Sequence, residues 1–182
     1  MISRTIDLLT PEQCIAIVEE LRIASGDAAT VYGQSHGSGA VNPLVRKATR
    51  VVPSDATRAL IRAALERVQP QLAEHFATPL TSFEEPQFLR YHVGDYFVAH
   101  QDGNTPLIRD DSVNRRVSAI VFLSDPAEYD GGALVFHGDY PSTVRKTMPN
   151  TRGSLLGFRP EQTHEVTPLV SGSRYSIATW YR

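Results

Sequence analysis

The chain has 182 residues, of which 41% are hydrophobic and 21% are charged, and this composition is typical of one globular domain with a substantial core. The formal net charge is −2 and there is no Lys/Arg-rich run, so a nucleic-acid partner has no electrostatic support. We expect neither a signal peptide nor a membrane-spanning segment. Because Cys14 is the only cysteine, no disulfide can form within the chain, and we expect a cytoplasmic protein.

The first 82 residues predict two helices, separated by a loop and by a short strand at 48–52 that stops before Pro53. A Thr-Pro-Glu-Gln sequence at 10–13 has the N-cap, the N1 proline and the N3 glutamine of a capping box. A Ser-Asp pair at 54–55 provides the cap of a second helix that runs to about residue 75, and Pro70 is expected to kink or divide it. Residues 25–45 are rich in Gly, Ser, Ala and Asn and predict a long loop, which is either functional or disordered.

The second part of the chain predicts short β-strands. Segments rich in Val, Ile, Phe and Tyr alternate with turn residues and give candidate strands at 86–92, 95–101, 115–123, 132–137, 142–148, 153–158, 162–168 and 173–181. Eight short strands without intervening helices favour a barrel or sandwich over an α/β sheet. The predicted class is α+β and mainly β. We predict a single domain over 1–182, with a helical support region and loop at 1–82 and a β-rich core at 83–182.

A possible metal site is indicated by His100 and Asp102. On an extended strand these two positions point to the same face, and His164 lies in a later candidate strand. Two imidazoles and one carboxylate form the ligand set of non-haem Fe(II) oxygenases, which leaves one face of the metal open. A lone histidine on a strand is more often structural, and His75 and His92 are read in that way. His36 is expected to be solvated, whereas His137 could line a pocket.

The last candidate strand carries an arginine on a mainly apolar face. Arg174, Ser176, Ala178 and Trp180 share this face. A buried guanidinium needs a partner, and its planar fork suits a carboxylate. An isolated arginine would more simply reach solvent or meet a structural Glu, but the position of Arg174 after His164 favours a small-molecule carboxylate.

Taken in order, Tyr91, His100-x-Asp102, His164 and Arg174-x-Ser176 resemble the Fe(II)/2-oxoglutarate-dependent dioxygenases of the prolyl 4-hydroxylase-like branch. The segments at 116–125 and 129–134 are especially similar to that branch. The resemblance covers about residues 85–182. It implies a double-stranded β-helix core, also called jelly-roll or cupin-like, with the N-terminal helices packed on its major sheet.

The resemblance also implies roles for individual residues. His100, Asp102 and His164 would bind Fe(II), and Arg174 would hold the C5 carboxylate of 2-oxoglutarate with help from Tyr91 and Ser176. O2 is the second cosubstrate, and ascorbate is a candidate reductant. Some family members carry a second tyrosine on the strand occupied here by Ile-Val-Phe at 120–122, so this chain lacks that hydroxyl.

The implied reaction is hydroxylation of an amino-acid-type substrate with release of succinate and CO2. The carboxylate of Asp102 favours hydroxylation over halogenation. The substrate is either a prolyl or other residue in a protein, or a free amino acid or small metabolite, and the protein is a monomer or a homodimer. Loops at 30–46 and 103–116 would frame the pocket. The candidate substrate contacts are Asn104, Arg109, Arg115, His137 and Trp180.

Four arginines, Arg46, Arg50, Arg109 and Arg115, could contact a substrate carboxylate. Each one taken alone is more simply explained as solvated or as paired with a neighbouring Asp. Two other functions stay open: a non-catalytic cupin-like metal-binding or sensing module, and an interaction domain that uses the loop at 25–45. A metal-binding or sensing module would not need an arginine at position 174. An interaction domain would not need a complete set of metal ligands.

Overall fold

The computed structural model describes residues 3–30, 42–103, 111–138 and 143–182. Within these ranges the chain forms two α-helices, fourteen strands and two short 3-10 turns at Asp111–Asn114 and Pro126–Glu128. The elements are β1 (Ser3–Asp7), α1 (Pro11–Ile23), β2 (Gly26–Ala28), β3 (Arg46–Lys47), β4 (Thr49–Val51), α2 (Asp55–Phe76), β5 (Gln87–Tyr91), β6 (Tyr96–His100), β7 (Val117–Phe122), β8 (Tyr129–Gly131), β9 (Leu134–His137), β10 (Arg145–Thr147), β11 (Ser154–Phe158), β12 (His164–Val166), β13 (Leu169–Gly172) and β14 (Arg174–Tyr181).

Two antiparallel sheets form the barrel. The major sheet has the order β1-β11-β7-β14-β5-β4-β2, the minor sheet has the order β10-β9-β12-β6-β3, and β13 pairs with β8 in a separate ribbon. Phe158 of the major sheet packs against Phe136 and His164 of the minor sheet, with ring centroids 5.0 and 4.8 Å away. These contacts fill the space between the sheets. The predicted double-stranded β-helix is therefore confirmed.

Alternation along β14 separates the two faces of the major sheet. Tyr175, Ile177 and Tyr181 join the hydrophobic core that the two helices contribute to, while Arg174 and Ser176 are buried on the opposite, inward face. The helices thus cover the outer face of the major sheet, as predicted. The inward face is left to line the barrel.

Both helices start where the sequence predicts. Thr10 and Gln13 form the reciprocal capping box of α1, and Ser54 caps α2. Pro70 does not divide α2, which continues to Phe76. A proline removes one backbone hydrogen bond, and burial of apolar residues on both sides of it, Val68 and Leu72 among them, offsets that loss. Neither described helix is long and apolar enough to cross a membrane.

Several short strands were not predicted. Residues 26–28, assigned to a loop, form β2 at the edge of the major sheet and pair with β4. Its three residues are all exposed, so no hydrophobic pattern signals the strand. β3, β8 and β13 are also short, and each is defined by its partner strand. Residues 31–41 of the predicted loop lie outside the described residues.

Cys14 is fully buried under the β-sheet, and burial raises the pKa of its thiol to about 11, with opposition from the charge of Arg152. Because the thiolate is the reactive form, we expect the folded chain to react with Ellman's reagent only as fast as it unfolds. In guanidinium chloride the same thiol should react at once. Rapid stoichiometric reaction of the folded chain would contradict this placement.

Candidate metal centre

Two histidines face each other across the minor sheet. His100 ends β6 and is paired directly with His164, the first residue of β12. The Nε2 atoms of His100 and His164 each lie 3.6 Å from an oxygen of Asp102. One ligand atom from each of the three residues lies within 4.8 Å of the others. The structure therefore brings together the three predicted metal ligands.

The geometry of β6 differs from the simple strand that the sequence suggests. His164 pairs with His100 but Val166 pairs with Phe97, so β6 carries one extra residue in a β-bulge. The bulge turns Phe97 and His100 to the same face, where their rings stack 3.5 Å apart. Asp102 lies beyond the end of the strand, in a turn held by a 2.9 Å hydrogen bond from its N–H to the Pro160 carbonyl.

Backbone contacts fix the tautomer of both histidines. The Nδ1 of His100 lies 2.8 Å from the Val98 carbonyl, and the Nδ1 of His164 lies 2.8 Å from the Gln162 carbonyl. A carbonyl oxygen can only accept, so each Nδ1 must donate a proton. In the neutral imidazole this leaves the lone pair on Nε2, the atom that faces Asp102. Such outer hydrogen bonds orient ligating histidines in metal sites.

The protonation states suit a cation. Burial lowers the pKa of His164 to about 4, although the neighbouring Asp102 carboxylate opposes this. Burial alone would raise the pKa of Asp102, but the charge of His164 and the hydrogen bond from His100 outweigh it and hold that pKa well below its usual range. At neutral pH the pair is a neutral imidazole beside a carboxylate. This is the form in which both groups bind metals.

An arginine behind the metal-ligand turn holds that turn in place. Arg115 Nη1 donates a 2.7 Å hydrogen bond to the Asp102 carbonyl, and its Nε and Nη2 donate to the carboxylate of Glu84 at 2.8 and 2.7 Å. The guanidinium also stacks on Trp180, 3.8 Å from the ring centroid. Burial would raise the pKa of Glu84, but Arg115 and Arg182 outweigh it and lower that pKa.

Arg115 and Trp180 were predicted as substrate contacts, but the structure places Arg115 against the Asp102 carbonyl and Trp180 against Arg115. Glu84 was not predicted at all. It lies 31 residues before Arg115, in a segment with no recognisable motif, and only the fold brings the two together.

Arg174 is buried in the barrel with a relative exposure of 2%. Its Nη1 donates a 3.1 Å hydrogen bond to Ser176 Oγ, and its guanidinium carbon lies 5.1 Å from the ring centroid of Tyr91. Its Nε has no hydrogen-bond partner, and no carboxylate of the described ranges forms an ion pair with it. The structure thus groups Arg174 with the two residues predicted to assist it.

The glycine pair at 131–132 leaves room for Arg174. A Cβ on Gly132 would lie 3.0 Å from Arg174 Cδ and 2.8 Å from Leu169 Cδ1, and the backbone there has a φ of +57°. Glycine is therefore required at this position both for the turn and for the path of the arginine side chain.

His137, which was also predicted as a substrate contact, is not brought to the metal ligands. His137 shares a face of the minor sheet with Glu165, from which its Nε2 is 3.6 Å distant, and Glu165 also pairs with Arg145. Glu165 follows His164 in β12 and so points to the opposite face. His137 therefore lies on the outer face of the minor sheet. Asn104 and Arg109 lie outside the described residues.

Comparison with known sequences supports the oxygenase resemblance. The sequence model of the 2OG-Fe(II) oxygenase superfamily matches residues 86–182. A PKHD-type hydroxylase of Paracoccus denitrificans is 31% identical over 176 residues, which cover 96% of this chain and 74% of that protein. The match to this chain covers 60% of the length of a second relative with this name and 45% of the length of a third.

Comparison with solved structures supports the fold. A Pseudomonas putida prolyl-4-hydroxylase superposes with a TM-score of 0.76 at 23% identity, covering 99% of this chain and 92% of the other. A prolyl hydroxylase from Trichoplax adhaerens, solved with a hypoxia inducible factor peptide fragment, gives a TM-score of 0.70 at 16% identity and covers 98% and 82%. These two proteins share the barrel described above.

We expect the folded chain to bind a divalent metal ion through His100, Asp102 and His164. Replacing Asp102 with Ala removes the anionic ligand, so the affinity should fall by more than the roughly 10- to 100-fold typical of losing an outer-sphere partner. Equilibrium dialysis against Co(II), or against Fe(II) without oxygen, measures this loss. His137→Ala is the matched control, since it removes a histidine from the outer face, and it should bind as the wild type does. Equal affinities of Asp102→Ala and the wild type would contradict the assignment.

Proposed function

Because the chain belongs to the 2OG-Fe(II) oxygenase superfamily, we propose that it is a hydroxylase in which His100, Asp102 and His164 hold the iron and Arg174 binds 2-oxoglutarate. The family uses Fe(II), 2-oxoglutarate and O2. The assignment of these roles to individual residues is our proposal, as is ascorbate as the reductant that keeps the iron in the Fe(II) state.

The observation that carries this proposal is that the guanidinium of Arg174, inside the barrel, forms no ion pair with any described residue. A buried cation without an acidic partner is costly, and the cost is removed when a carboxylate binds. Ser176 and Tyr91 border the guanidinium, so a dicarboxylate could place one end there and the other end at the metal. A metal-binding or sensing module without turnover offers no explanation for this arginine.

The proposed reaction converts the substrate, 2-oxoglutarate and O2 into the hydroxylated substrate, succinate and CO2. When bound, Fe(II) would supply the activation of O2, which no side chain of the protein can perform. One oxygen atom enters the substrate C–H bond and the other enters succinate. The chain contributes orientation: Arg174 fixes the cosubstrate, and the turn at Asp102 keeps a carboxylate in the ligand set, which favours hydroxylation over halogenation.

The substrate class is the finer part of the proposal. The relatives are named hydroxylases, and one structural neighbour was solved with a peptide fragment. These comparisons support an amino-acid-type substrate, either a prolyl or other residue in a peptide or a free amino acid.

The test is cosubstrate binding followed by turnover. We expect the anaerobic Fe(II) protein to develop a visible charge-transfer band with 2-oxoglutarate, and to release succinate when O2 and a substrate are added. Arg174→Gln removes the charged hydrogen bonds to the C5 carboxylate, so the KM for 2-oxoglutarate should rise about 10- to 100-fold. A protein that binds Fe(II) but gives no band with 2-oxoglutarate would support the non-catalytic alternative instead.

A glycine substitution tests the position of Arg174 without removing its charge. Gly132→Ala adds a methyl group against Arg174 Cδ, and we expect the affinity for 2-oxoglutarate to fall about tenfold along with a loss of stability of about 1–3 kcal/mol from the positive φ. Gly94→Ala is the control, because its φ is +82° but the nearest atom, Lys47 Nζ, is 3.8 Å from the added Cβ. It should lose stability and keep its affinity, which thermal unfolding and titration of the charge-transfer band can measure. Equal affinity losses in the two variants would contradict the contact with Arg174.

A further inference from the structure

Besides Arg174 and Arg115, a third buried arginine lies on the metal side of the barrel. Arg46 in β3 is paired directly with Phe97 in β6, so the two side chains lie on one face of the minor sheet. The guanidinium carbon of Arg46 lies 4.8 Å from the ring centroid of Phe97. Phe97 in turn stacks on His100, with 3.5 Å between ring centroids. Arg46 is thus one aromatic ring away from a predicted metal ligand.

Among the described residues, this guanidinium has no anionic partner. Arg46 has a relative exposure of 7%. Its Nη1 donates a 2.9 Å hydrogen bond to the Thr30 carbonyl, while its Nε is buried without a hydrogen-bond partner. None of the carboxylates in the described part of the chain forms an ion pair with it. Arg115 is also buried, but it forms an ion pair with the carboxylate of Glu84. The fold therefore supplies an acidic partner to a buried arginine that has no proposed role in binding a ligand.

The surroundings of Arg46 are apolar. Ala29, Ala48, Leu89 and Tyr91 form a buried cluster against which Phe97 packs. In such an environment an unpaired cation is poorly stabilised, and a charge-assisted hydrogen bond to an anion is worth more than it would be in water. A planar fork with one contact already made can offer its remaining N–H groups to a carboxylate.

We propose that Arg46 is a second anion anchor of the site and that it binds a carboxylate of the substrate. This inference rests on the proposed function, in which both carboxylates of 2-oxoglutarate are already taken, one by the metal and the other by Arg174. The anion at Arg46 must then come from the molecule to be hydroxylated. The substrate class is therefore an amino-acid-type molecule with a free carboxylate close to the C–H bond that reacts.

The carboxylate could have two sources, and matched ligand pairs distinguish them. One series compares free L-amino acids with their C-terminal amides. The other compares peptides blocked at both ends that contain Asp or Glu with the same peptides containing Asn or Gln. Each ligand is titrated into the anaerobic complex of Fe(II) and 2-oxoglutarate, and binding is measured as a change in the visible charge-transfer band. The series that shows a preference for the charged ligand identifies the source.

We expect the wild-type complex to bind at least one carboxylate about 10- to 100-fold more tightly than its amide, as for the loss of a charged hydrogen bond. Arg46→Gln should abolish this preference, and Arg46→Lys should retain part of it. Lys47→Gln is the matched control, since Lys47 follows on the same strand but pairs with Asp95 at 3.3 Å, and it should leave the preference unchanged. Both variants of Arg46 should still form the band with 2-oxoglutarate, which also shows that they fold.

Two outcomes would overturn the inference while the proposed function stands. In the first, the band forms but no carboxylate is preferred to its amide in either series. In the second, a preference exists in the wild type and persists in Arg46→Gln. Absence of the band before any ligand is added would instead overturn the proposed function, and the inference would fall with it.

Discussion

The antiparallel pairing of β6 with β12 is the constraint on which the site depends. It sets His100 directly opposite His164, and the extra residue in β6 turns Phe97 to the same face as His100. Each of these strands has a second neighbour in the minor sheet, β3 beside β6 and β9 beside β12. The imidazoles are therefore held by a ladder of backbone hydrogen bonds, and a rigid scaffold of this kind keeps ligands in position before the ion arrives.

Three buried guanidinium groups give this barrel its electrostatic character. Arg115 is neutralised by Glu84 and supports the turn that carries Asp102. Arg174 and Arg46 have no such partner in the described residues, and each sits where a ligand carboxylate is expected. An unpaired buried charge destabilises the empty site, so ligands that supply the missing anions stabilise the folded chain as they bind. The unpaired arginines thus lower the stability of the empty protein and at the same time favour ligands that carry a carboxylate.

Local signals explain most of what the sequence predicts about the fold. All eight predicted core strands are present, because alternating apolar residues and turn residues mark them, and the capping box of α1 is visible at Thr10 and Gln13. Two of the missed strands have a common cause: β2 and β3 have three and two residues, and pairing with β4 and β6 defines them rather than their own composition. At Pro70 the local sequence predicts a break in the helix, but α2 continues because the apolar residues around the proline are buried.

The candidate site was predictable in its residue types but not in its partners. His100, Asp102, His164 and Arg174 stand out by chemistry and spacing, whereas the face occupied by His137 depends on the register of β9 with β12. The partner of a buried arginine likewise depends on residues distant in sequence. Arg115 and Arg46 are alike in sequence as candidate contacts for a substrate. Only the fold supplies Glu84 to Arg115, whereas no acid among the described residues pairs with Arg46. A buried arginine is thus a candidate for binding a substrate carboxylate when the residues around it provide no acid.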